Sequence, residues 1–261
     1  NILAFNPLLR YHSKTIPKKS TKKRGNSMKI IAGNWKMNGS RENLVNMVAA
    51  LQNIETENTV VLCVPYTMLG VTSDNIALGA QDVSTHDHGA YTGEVSAQMV
   101  ADTGAKYTIV GHSERRQYHG ETNDIVRQKA ASALAAGLTP IICVGETMDE
   151  KQAGKTMEII ESGVRESIPN DVNGKIIVAY EPRWAIGAGL TPTDEEIAAA
   201  HKLIADTLSD IGLDGTPVLY GASVKGSNAA QIMSIPNVDG VLVGGASLKP
   251  DDFIPIITSV K

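Results

Sequence analysis

Residues 176–189 read IIVAYEPRWAIGAG, and this stretch carries the clearest signal for the fold. Its first five residues form a continuous apolar run that does not alternate with polar residues. Such a run predicts a strand buried on both faces of a parallel sheet. Pro182 has no N–H to donate, so strand pairing ends there. The predicted strand therefore places a carboxylate, Glu181, at its carboxyl end.

The residues after Glu181 have the composition of a small lid, Pro182–Thr193. Trp184 and Ile186 supply apolar anchors, and the glycines that follow permit hinge conformations of the backbone. A base at a strand end, beside a loop that excludes water, suits the removal of a proton from carbon. A structural carboxylate followed by an ordinary loop is the alternative. This stretch alone leaves both interpretations open.

Seven other apolar runs accompany this strand, and segments with helical periodicity separate them. The eight predicted strands are Lys29–Gly33, Val60–Val64, Ile76–Ala80, Tyr107–Gly111, Pro140–Val144, Lys175–Tyr180, Pro217–Gly221 and Gly240–Val243. The clearest helix covers 194–211 and begins with the capping-box pattern Thr193-x-x-Glu196. Other helices are predicted at 42–52, 94–104, 122–136 and 148–166, with a short one at 66–72.

This alternation predicts an α/β fold, a single-domain (β/α)8 barrel. The chain has 261 residues, of which 42% are hydrophobic, so it can form one barrel of the usual ~250 residues. A doubly wound open sheet is the main alternative. It would need a glycine-rich nucleotide-binding turn after an early strand, and the residues after Gly33 do not form one.

Cysteine usage and apolar run length limit the class of protein further. Cys63 and Cys143 lie in separate apolar runs and lack metal-ligand spacing. This pattern indicates reduced thiols in a cytosolic type of compartment. No apolar stretch approaches the ~18 residues that a membrane span requires, so we predict no membrane association.

Positive charge is concentrated before Met28. Residues 1–27 hold seven of the 24 Lys and Arg residues and none of the 28 Asp and Glu residues. The rest of the chain therefore has 17 basic against 28 acidic residues, a net charge near −11, which argues against nucleic-acid binding. We interpret 1–27 as an extension of a domain covering 28–261: a transit-type peptide, a vector-derived remnant or a misassigned start. A basic arm that binds an anionic partner is the alternative.

Polar residues and small-residue turns follow five of the predicted strands. They are Asn34 and Lys36 after the first strand, His112 and Glu114 after the fourth, Glu181 after the sixth, and the turns 221–223 and 244–247 after the last two. Each has a structural explanation of its own, such as a surface lysine, a core histidine or an ordinary turn. Because the carboxyl ends of barrel strands converge on one mouth, their joint placement favours a functional site.

Six motifs make the chain similar to the triosephosphate isomerase family from Met28 to its end. They are AGNWKMN at 32–38, VGHSERR at 110–116, CVGE at 143–146, YEPRWAIG at 180–187, YGASV at 220–224 and VGGASL at 243–248. The resemblance implies a TIM barrel that takes part in glycolysis and gluconeogenesis. It implies the interconversion of dihydroxyacetone phosphate and D-glyceraldehyde 3-phosphate, with no metal and no organic cofactor.

The resemblance also implies catalytic roles. Glu181 is the expected base, and His112 is the expected electrophile at the enediolate oxygens. The imidazole is expected to be neutral, as described for this family, because a helix N-terminus lowers its pKa. Glu114 is expected to hold Lys36 in position. Lys36 supplies positive charge to the phosphate and the oxyanion, and Asn34 a hydrogen bond.

The substrate's phosphate is expected to meet backbone amides. These belong to Gly187, Ser223, Gly244 and Gly245, and a helix N-terminus lies behind the last pair. Three positions depart from the family pattern: Arg183 and Ala188 in the lid, and Ala222 in place of a glycine in the turn after the seventh strand. They put only the rate and the behaviour of the lid in question.

The loop His86–Glu94 is the expected contact of a homodimer. The resemblance implies that it docks into a second copy, where Thr92 reaches the partner's Asn34 and Lys36. His86-x-His88 could be taken for a metal-binding pair, but no third ligand follows at a useful spacing. We therefore predict no metal site.

Two other functions have to be weighed. The first is an isomerase of a tetrulose phosphate, which would use the same site for a longer substrate. The second is a non-catalytic barrel that serves as a binding protein, and the presence of Lys36, His112 and Glu181 argues against it. We expect a cytoplasmic location, or an organellar one if 1–27 is a transit peptide.

Overall fold

The computed structural model describes residues 28–71, 75–186 and 190–260. Eight strands form a closed barrel in which each strand pairs in parallel with the next, and β8 pairs with β1. They are β1 Ile30–Asn34, β2 Thr59–Cys63, β3 Ala77–Ala80, β4 Tyr107–Val110, β5 Thr139–Val144, β6 Ile177–Tyr180, β7 Val218–Tyr220 and β8 Gly240–Val243. The predicted single-domain (β/α)8 barrel is confirmed. The predicted extension 1–27 lies outside the described residues.

Helices connect most of the strands around the outside. They are α1 Arg41–Leu51, α2 Ala97–Asp102, α3 Ser113–His119, α4 Asn123–Ala135, α5 Met148–Gln152, α6 Thr156–Ser167, α7 Asp194–Asp210, α8 Ala229–Ser234 and α9 Pro250–Ile257. Short 3₁₀ turns occupy Tyr66–Met68, Arg183–Ala185 and Gly245–Ser247. In the described part of the chain, no helix has both the length and the apolar character needed to cross a membrane.

Two of the predicted helices differ from the structure. The segment 148–166 contains two helices, α5 and α6, because the chain turns at Gly154, whose φ is +72°. Glycine adopts this conformation without the energetic cost that a Cβ would add. The helix therefore breaks at Gly154 although the apolar periodicity of the sequence continues past it. The segment 66–72 contains only the 3₁₀ turn Tyr66–Met68, and residue 72 lies outside the described part.

The predicted capping box at the start of α7 is present. The amide of Glu196 donates to Thr193 Oγ1 at 3.2 Å, and the amide of Thr193 donates to Glu196 Oε2 at 2.9 Å. The side chains of Ile197, Ile204 and Leu208 are buried along one face of this helix. Capping and apolar spacing together hold α7 against the barrel.

The core has two layers. The larger layer lies between the strands and the helices and includes Trp35, Phe253 and most of the buried Ile, Leu and Val side chains. A smaller layer contains only strand residues and fills the barrel interior, as the alternation of side chains along a strand requires. Cys63 and Cys143 belong to this inner layer as free buried thiols.

The carboxyl ends of β5 and β6 approach each other very closely. The amide of Glu181 donates to Val144 O at 2.8 Å, and a Cβ built on Gly145 would lie 1.8 Å from the carbonyl oxygen of Glu181. Any side chain at position 145 would therefore push the two strand ends apart. The glycine fixes where the backbone of Glu181 leaves the sheet.

Candidate active site

A cavity of about 290 Å³ lies at the carboxyl-terminal mouth of the barrel. Its walls come from the residues that follow five different strands. They include Asn34, Lys36, His112, Glu181, Ile186, Ser223, Lys225, Gly244 and Gly245. The structure thus brings together all the predicted site residues that it describes, with Glu114 bonded to Lys36 just behind the wall. Gly187 lies outside the described residues.

Lys36 is held by contacts from both sides. Its φ is +53°, an uncommon value for a residue with a side chain. Its amide donates to Oδ1 of Asn34 at 3.0 Å, and its ammonium donates to Oε1 of Glu114 at 2.6 Å. The side chain is 29% exposed, so the charge reaches the cavity without being freely solvated. Strained backbone held by specific contacts is characteristic of functional sites.

His112 stands at the beginning of α3. Its Nδ1 accepts a hydrogen bond from the amide of Glu114 at 3.2 Å, so the side chain caps the helix. A ring nitrogen that accepts from an amide carries no proton, which leaves the proton of the neutral imidazole on Nε2. This Nε2 lies 2.9 Å from Oε1 of Glu181. The helix terminus therefore selects the tautomer that faces the carboxylate.

Glu181 is 2% exposed and is directed at α3. Its Oε2 accepts a hydrogen bond from the amide of Ser113 at 2.9 Å, and Oε1 faces His112. A Cβ built on Gly221 would lie 3.1 Å from Cγ of Glu181. A side chain at position 221 would thus crowd the carboxylate, and the glycine keeps space beside it.

Burial and charge act in opposite directions on this pair. Burial alone would raise the pKa of Glu181, but the neighbouring His112, the Ser113 amide and Lys36 lower it. Burial alone would lower the pKa of His112, but the charge of Glu181 outweighs it and the pKa is raised. The predicted lowering of the His112 pKa is therefore wrong for this arrangement, because the carboxylate is too close.

The opposite end of the cavity is lined by small residues. Ser223 follows β7, and Gly244 and Gly245 follow β8. A Cβ built on Gly244 would lie 3.5 Å from Cε of Lys36, so the lysine stem passes close to this turn. The predicted helix N-terminus behind the glycines is that of a three-residue 3₁₀ helix, Gly245–Ser247, with Gly244 at its N-cap.

The beginning of the predicted lid is anchored to a buried carboxylate that the sequence analysis gave no role. Oε1 of Glu146 accepts from Nε1 of Trp184 at 2.8 Å, and the carbonyl oxygen of Glu146 accepts from the amide of Arg183 at 3.0 Å. Tyr180 OH lies 3.3 Å from both carboxylate oxygens of Glu146. The sequence signal for a role of Glu146 was its position just after a predicted strand, in the CVGE motif. Lys225 was also missed.

Two of the three departures from the family pattern lie in described residues. Ala222 lines the cavity, and positive φ values at residues other than glycine occur only at Lys36 and Asn237 within the described ranges. Ala222 therefore has an ordinary backbone conformation here. Arg183 is half-buried in the 3₁₀ turn after Pro182, and Ala188 lies outside the described residues.

A second and larger cavity, the outer groove, opens beside the first. It has a volume of about 640 Å³ and shares Asn34, Lys36 and His112 with the mouth cavity. Met37 and Tyr118 on its rim are 96% and 72% exposed. Exposed apolar side chains of this size around a concave surface are typical of contact surfaces.

The loop His86–Glu94 projects from the described structure and is mostly exposed. The rings of His86 and Tyr91 stack with centroids 3.7 Å apart and an angle of 5° between their planes. The amide of His86 also donates to Oγ of Ser84 at 3.1 Å. The loop therefore has internal contacts that favour one conformation.

The fold and the site together define a (β/α)8-barrel protein with a close Glu–His pair and a lysine-lined cavity at its carboxyl-terminal mouth. The family model described as triosephosphate isomerase matches residues 29–260. The chain belongs to the triosephosphate isomerase family.

Individual relatives agree over nearly their whole length. The chain is 46% identical to triosephosphate isomerase of a Ruegeria species over 240 residues, 89% of this chain and 98% of the relative. It is 46% identical to the Herminiimonas arsenicoxydans protein of that name over 245 residues, 88% of this chain and 98% of the relative. The crystal structure of triosephosphate isomerase from Bartonella henselae superimposes with a TM-score of 0.80 at 37% identity, covering 89% of this chain and 99% of that one.

Proposed function

We propose that this isomerase uses Glu181 as its carbon base and His112 as its electrophile. The chain catalyses the reaction of its family, the interconversion of dihydroxyacetone phosphate and D-glyceraldehyde 3-phosphate through an enediolate. Moving a carbonyl along a triose requires a base that takes a proton from one carbon and returns it to the next. Glu181 is the buried carboxylate of the mouth cavity and has a lowered pKa, so it is ionised and ready to accept that proton.

Glu181 has to give up its contacts with Ser113 and His112 before it can reach a substrate carbon. When the carboxylate moves away, the main cause of the raised His112 pKa moves with it. Burial then dominates and favours the neutral imidazole, whose Nε2–H can donate to a substrate oxygen. In this proposal the position of the base controls the protonation state of the electrophile.

Lys36 and Asn34 complete the electrostatic part of the site. The ammonium of Lys36 stabilises the developing oxyanion and the phosphate, and the amide of Asn34 adds a neutral hydrogen bond. Glu114 contacts both Lys36 and His112, at 2.6 Å and 3.5 Å, and acts as a positioning residue. Ser223, Gly244 and Gly245 receive the phosphate at the other end of the cavity.

The observation that carries the proposal is the 2.9 Å contact between His112 and the buried Glu181 inside a cavity that also contains Lys36. A coupled assay on the purified protein, with three-carbon and four-carbon phosphorylated sugars, tests it. We expect rapid turnover of the triose phosphates. A clear preference for the tetrulose phosphate would instead support the sister isomerase, and the absence of turnover on both would support a binding protein.

We further propose that the active unit is a homodimer. The outer groove joins the mouth cavity at Asn34 and Lys36 and carries the exposed Met37 and Tyr118. The ordered loop His86–Glu94 of a second copy is the proposed occupant, and Thr92 would reach Asn34 and Lys36 of its partner. In this arrangement each copy completes the wall of the other's site.

Shortening the loop 86–93 together with Thr92→Ala tests the dimer. We expect monomers with an intact circular dichroism spectrum and little turnover, whereas Thr92→Ser alone should remain a dimer. Sedimentation of the unaltered protein at assay concentration supplies the control. An active monomer would disprove the shared site. We also propose a cytoplasmic location and no nucleic-acid partner, and the net negative charge of the main body supports the second point.

A further inference from the structure

We propose that Lys151 is a positioning residue of this isomerase. It acts through Trp184 and Glu196 to hold the turn after Glu181 at the barrel mouth. The inference rests on the proposed function, because it concerns the binding of the same substrate. Lys151 itself does not line the mouth cavity, so it is not a catalytic residue.

Lys151 belongs to α5, which closely follows the end of β5 in the chain and begins with a capping box. The amide of Thr147 donates to Oε2 of Glu150 at 2.7 Å, and the amide of Glu150 donates to Oγ1 of Thr147 at 3.2 Å. This reciprocal cap satisfies two amides that would otherwise lack partners. The lysine therefore belongs to a short helix whose first turn is fixed by its own cap.

The ammonium of Lys151 lies 3.7 Å from the ring centroid of Trp184. A cation over an indole face is attracted by the electrons of the ring. The edge of the same ring is fixed independently, because Nε1 of Trp184 donates to Glu146 at 2.8 Å. Trp184 is thus held on its face and at its edge, and each contact restricts a different rotation.

The same ammonium also connects the turn to α7. It donates to Oε1 of Glu196 at 2.6 Å, while Oε2 of Glu196 accepts from the amide of Thr193. Trp184 lies after β6, and Glu196 lies in the first turn of α7. The Lys151 side chain therefore contacts Trp184, which follows β6, and Glu196, which begins α7.

The consequence for the site follows from the position of Trp184 in the chain. It lies three residues after Glu181 and two residues before Ile186, which lines the mouth cavity. A tryptophan that can tilt lets Ile186 move away from the substrate. Losing Lys151 should therefore weaken substrate binding more than it affects the chemical step.

A purely structural role of Lys151 predicts a lower melting temperature for Lys151→Met with unchanged KM, whereas positioning predicts a raised KM with little change in melting. Lys151 and Glu196 are 29% and 44% exposed, and exposed ion pairs contribute little to stability. Loss of such a pair should leave the melting temperature almost unchanged. An effect on substrate binding without an effect on melting is thus the signature of positioning.

Four proteins test the inference: the wild type, Lys151→Met, Lys151→Arg, and Lys202→Met as the matched control. Lys202 pairs with Asp206 on an exposed part of α7, so the control removes the same charge far from Trp184. We expect Lys151→Met to raise KM and the Kd of 2-phosphoglycolate about 5-fold, with kcat within about twofold. Lys151→Arg should restore both constants, since its guanidinium also stacks on aromatic rings.

Three results would overturn the inference: unchanged KM and Kd in Lys151→Met, no recovery in Lys151→Arg, or equal effects in Lys202→Met. An inactive wild type would instead contradict the proposed function itself. The two failures are therefore distinguishable within one experiment.

Discussion

Two clusters of charged residues meet at neighbouring residues of α3, and they differ in how their charges are paired. The mouth cluster consists of Lys36, His112, Glu114 and Glu181, and the flank cluster consists of Asp82, Arg115, Glu121 and Lys129. Glu114 belongs to the first cluster, and the next residue, Arg115, belongs to the second. Each cluster contains a carboxylate whose side chain is less than 5% exposed and whose pKa is lowered, Glu181 in the first and Glu121 in the second.

The difference between them lies in the partner of the buried carboxylate. Glu121 is paired with the ammonium of Lys129 and with the guanidinium of Arg115, whose pKa is raised by the neighbouring carboxylates. Glu181 is paired with His112, whose charge depends on where the carboxylate sits. Burial and a shifted pKa are therefore shared by a structural cluster and a proposed catalytic one. A partner that can lose its charge, next to a cavity, distinguishes the second.

The largest effect is expected when the mouth cluster loses its base. Glu181→Gln retains an oxygen for the Ser113 amide but cannot accept a proton from carbon. We expect kcat to fall by at least about 10²-fold, because even a misplaced base costs about that much. The Kd of a phosphate ligand, measured by calorimetry, should change little. Near-normal turnover in this variant would exclude Glu181 as the base.

The same kind of change in the flank cluster should affect stability instead. Lys129 donates to both oxygens of Asp82 at 2.7 Å and also contacts Glu121. Lys129→Met leaves the buried Glu121 and the half-buried Asp82 without this cation, and breaking such a buried pair costs about 3 kcal/mol of unfolding free energy. Denaturant titration should show that loss while kcat of the folded protein is retained. Unchanged stability, or a loss of kcat as large as that in Glu181→Gln, would remove the distinction between the clusters.

Because His112 can gain or lose a proton, the stability that the mouth cluster contributes should depend on pH. Because folding lowers the pKa of Glu181, this carboxylate stabilises the protein at pH values above its unfolded pKa, near 4.5. The stabilisation is lost as the pH falls through the folded pKa. Because folding raises the pKa of His112, this side chain stabilises the protein at pH values below its unfolded pKa, near 6.5. The stabilisation is lost as the pH rises through the folded pKa. Stability relative to Glu181→Gln should therefore be highest between these values.

Denaturant titrations of both proteins from pH 4 to pH 9 measure that difference. In Glu181→Gln the main cause of the raised His112 pKa is gone, so burial favours the neutral ring and the variant loses stability below the unfolded pKa. A difference in unfolding free energy that is constant across this pH range would contradict the coupling of the two groups.

The smallest effect is expected at Ala222, on the wall of the mouth cavity. It replaces the glycine that the family pattern has in this turn, and a Cβ there would be strained if the turn adopted a positive φ. Its φ is not positive in this structure, so Ala222→Gly relieves no strain here. We expect an unchanged Kd for 2-phosphoglycolate and a loss of about 0.4–1 kcal/mol of stability from the more flexible unfolded chain. Tighter binding by ~10-fold would reveal a second conformation of the turn with positive φ.

The sequence by itself determined the barrel and the membership of the mouth site. Continuous apolar runs identify buried parallel strands, and the carboxyl ends of such strands converge whatever the intervening loops do. For this reason Asn34, Lys36, His112 and Glu181 could be assigned to one site although they are widely separated in the chain. The capping box at Thr193 could also be predicted from the sequence, because the start of a helix depends on a few adjacent residues.

Only the tertiary structure decided how these groups affect one another. The division of 148–166 into α5 and α6 depends on the conformation at Gly154, which apolar periodicity does not report. The direction of the His112 pKa shift depends on a 2.9 Å contact with a residue 69 positions away. The roles of Glu146 and Lys151 depend on where the Trp184 ring lies. Electrostatic energies vary steeply with distance and burial, and the order of residues in the sequence specifies neither the distances between charges nor their burial.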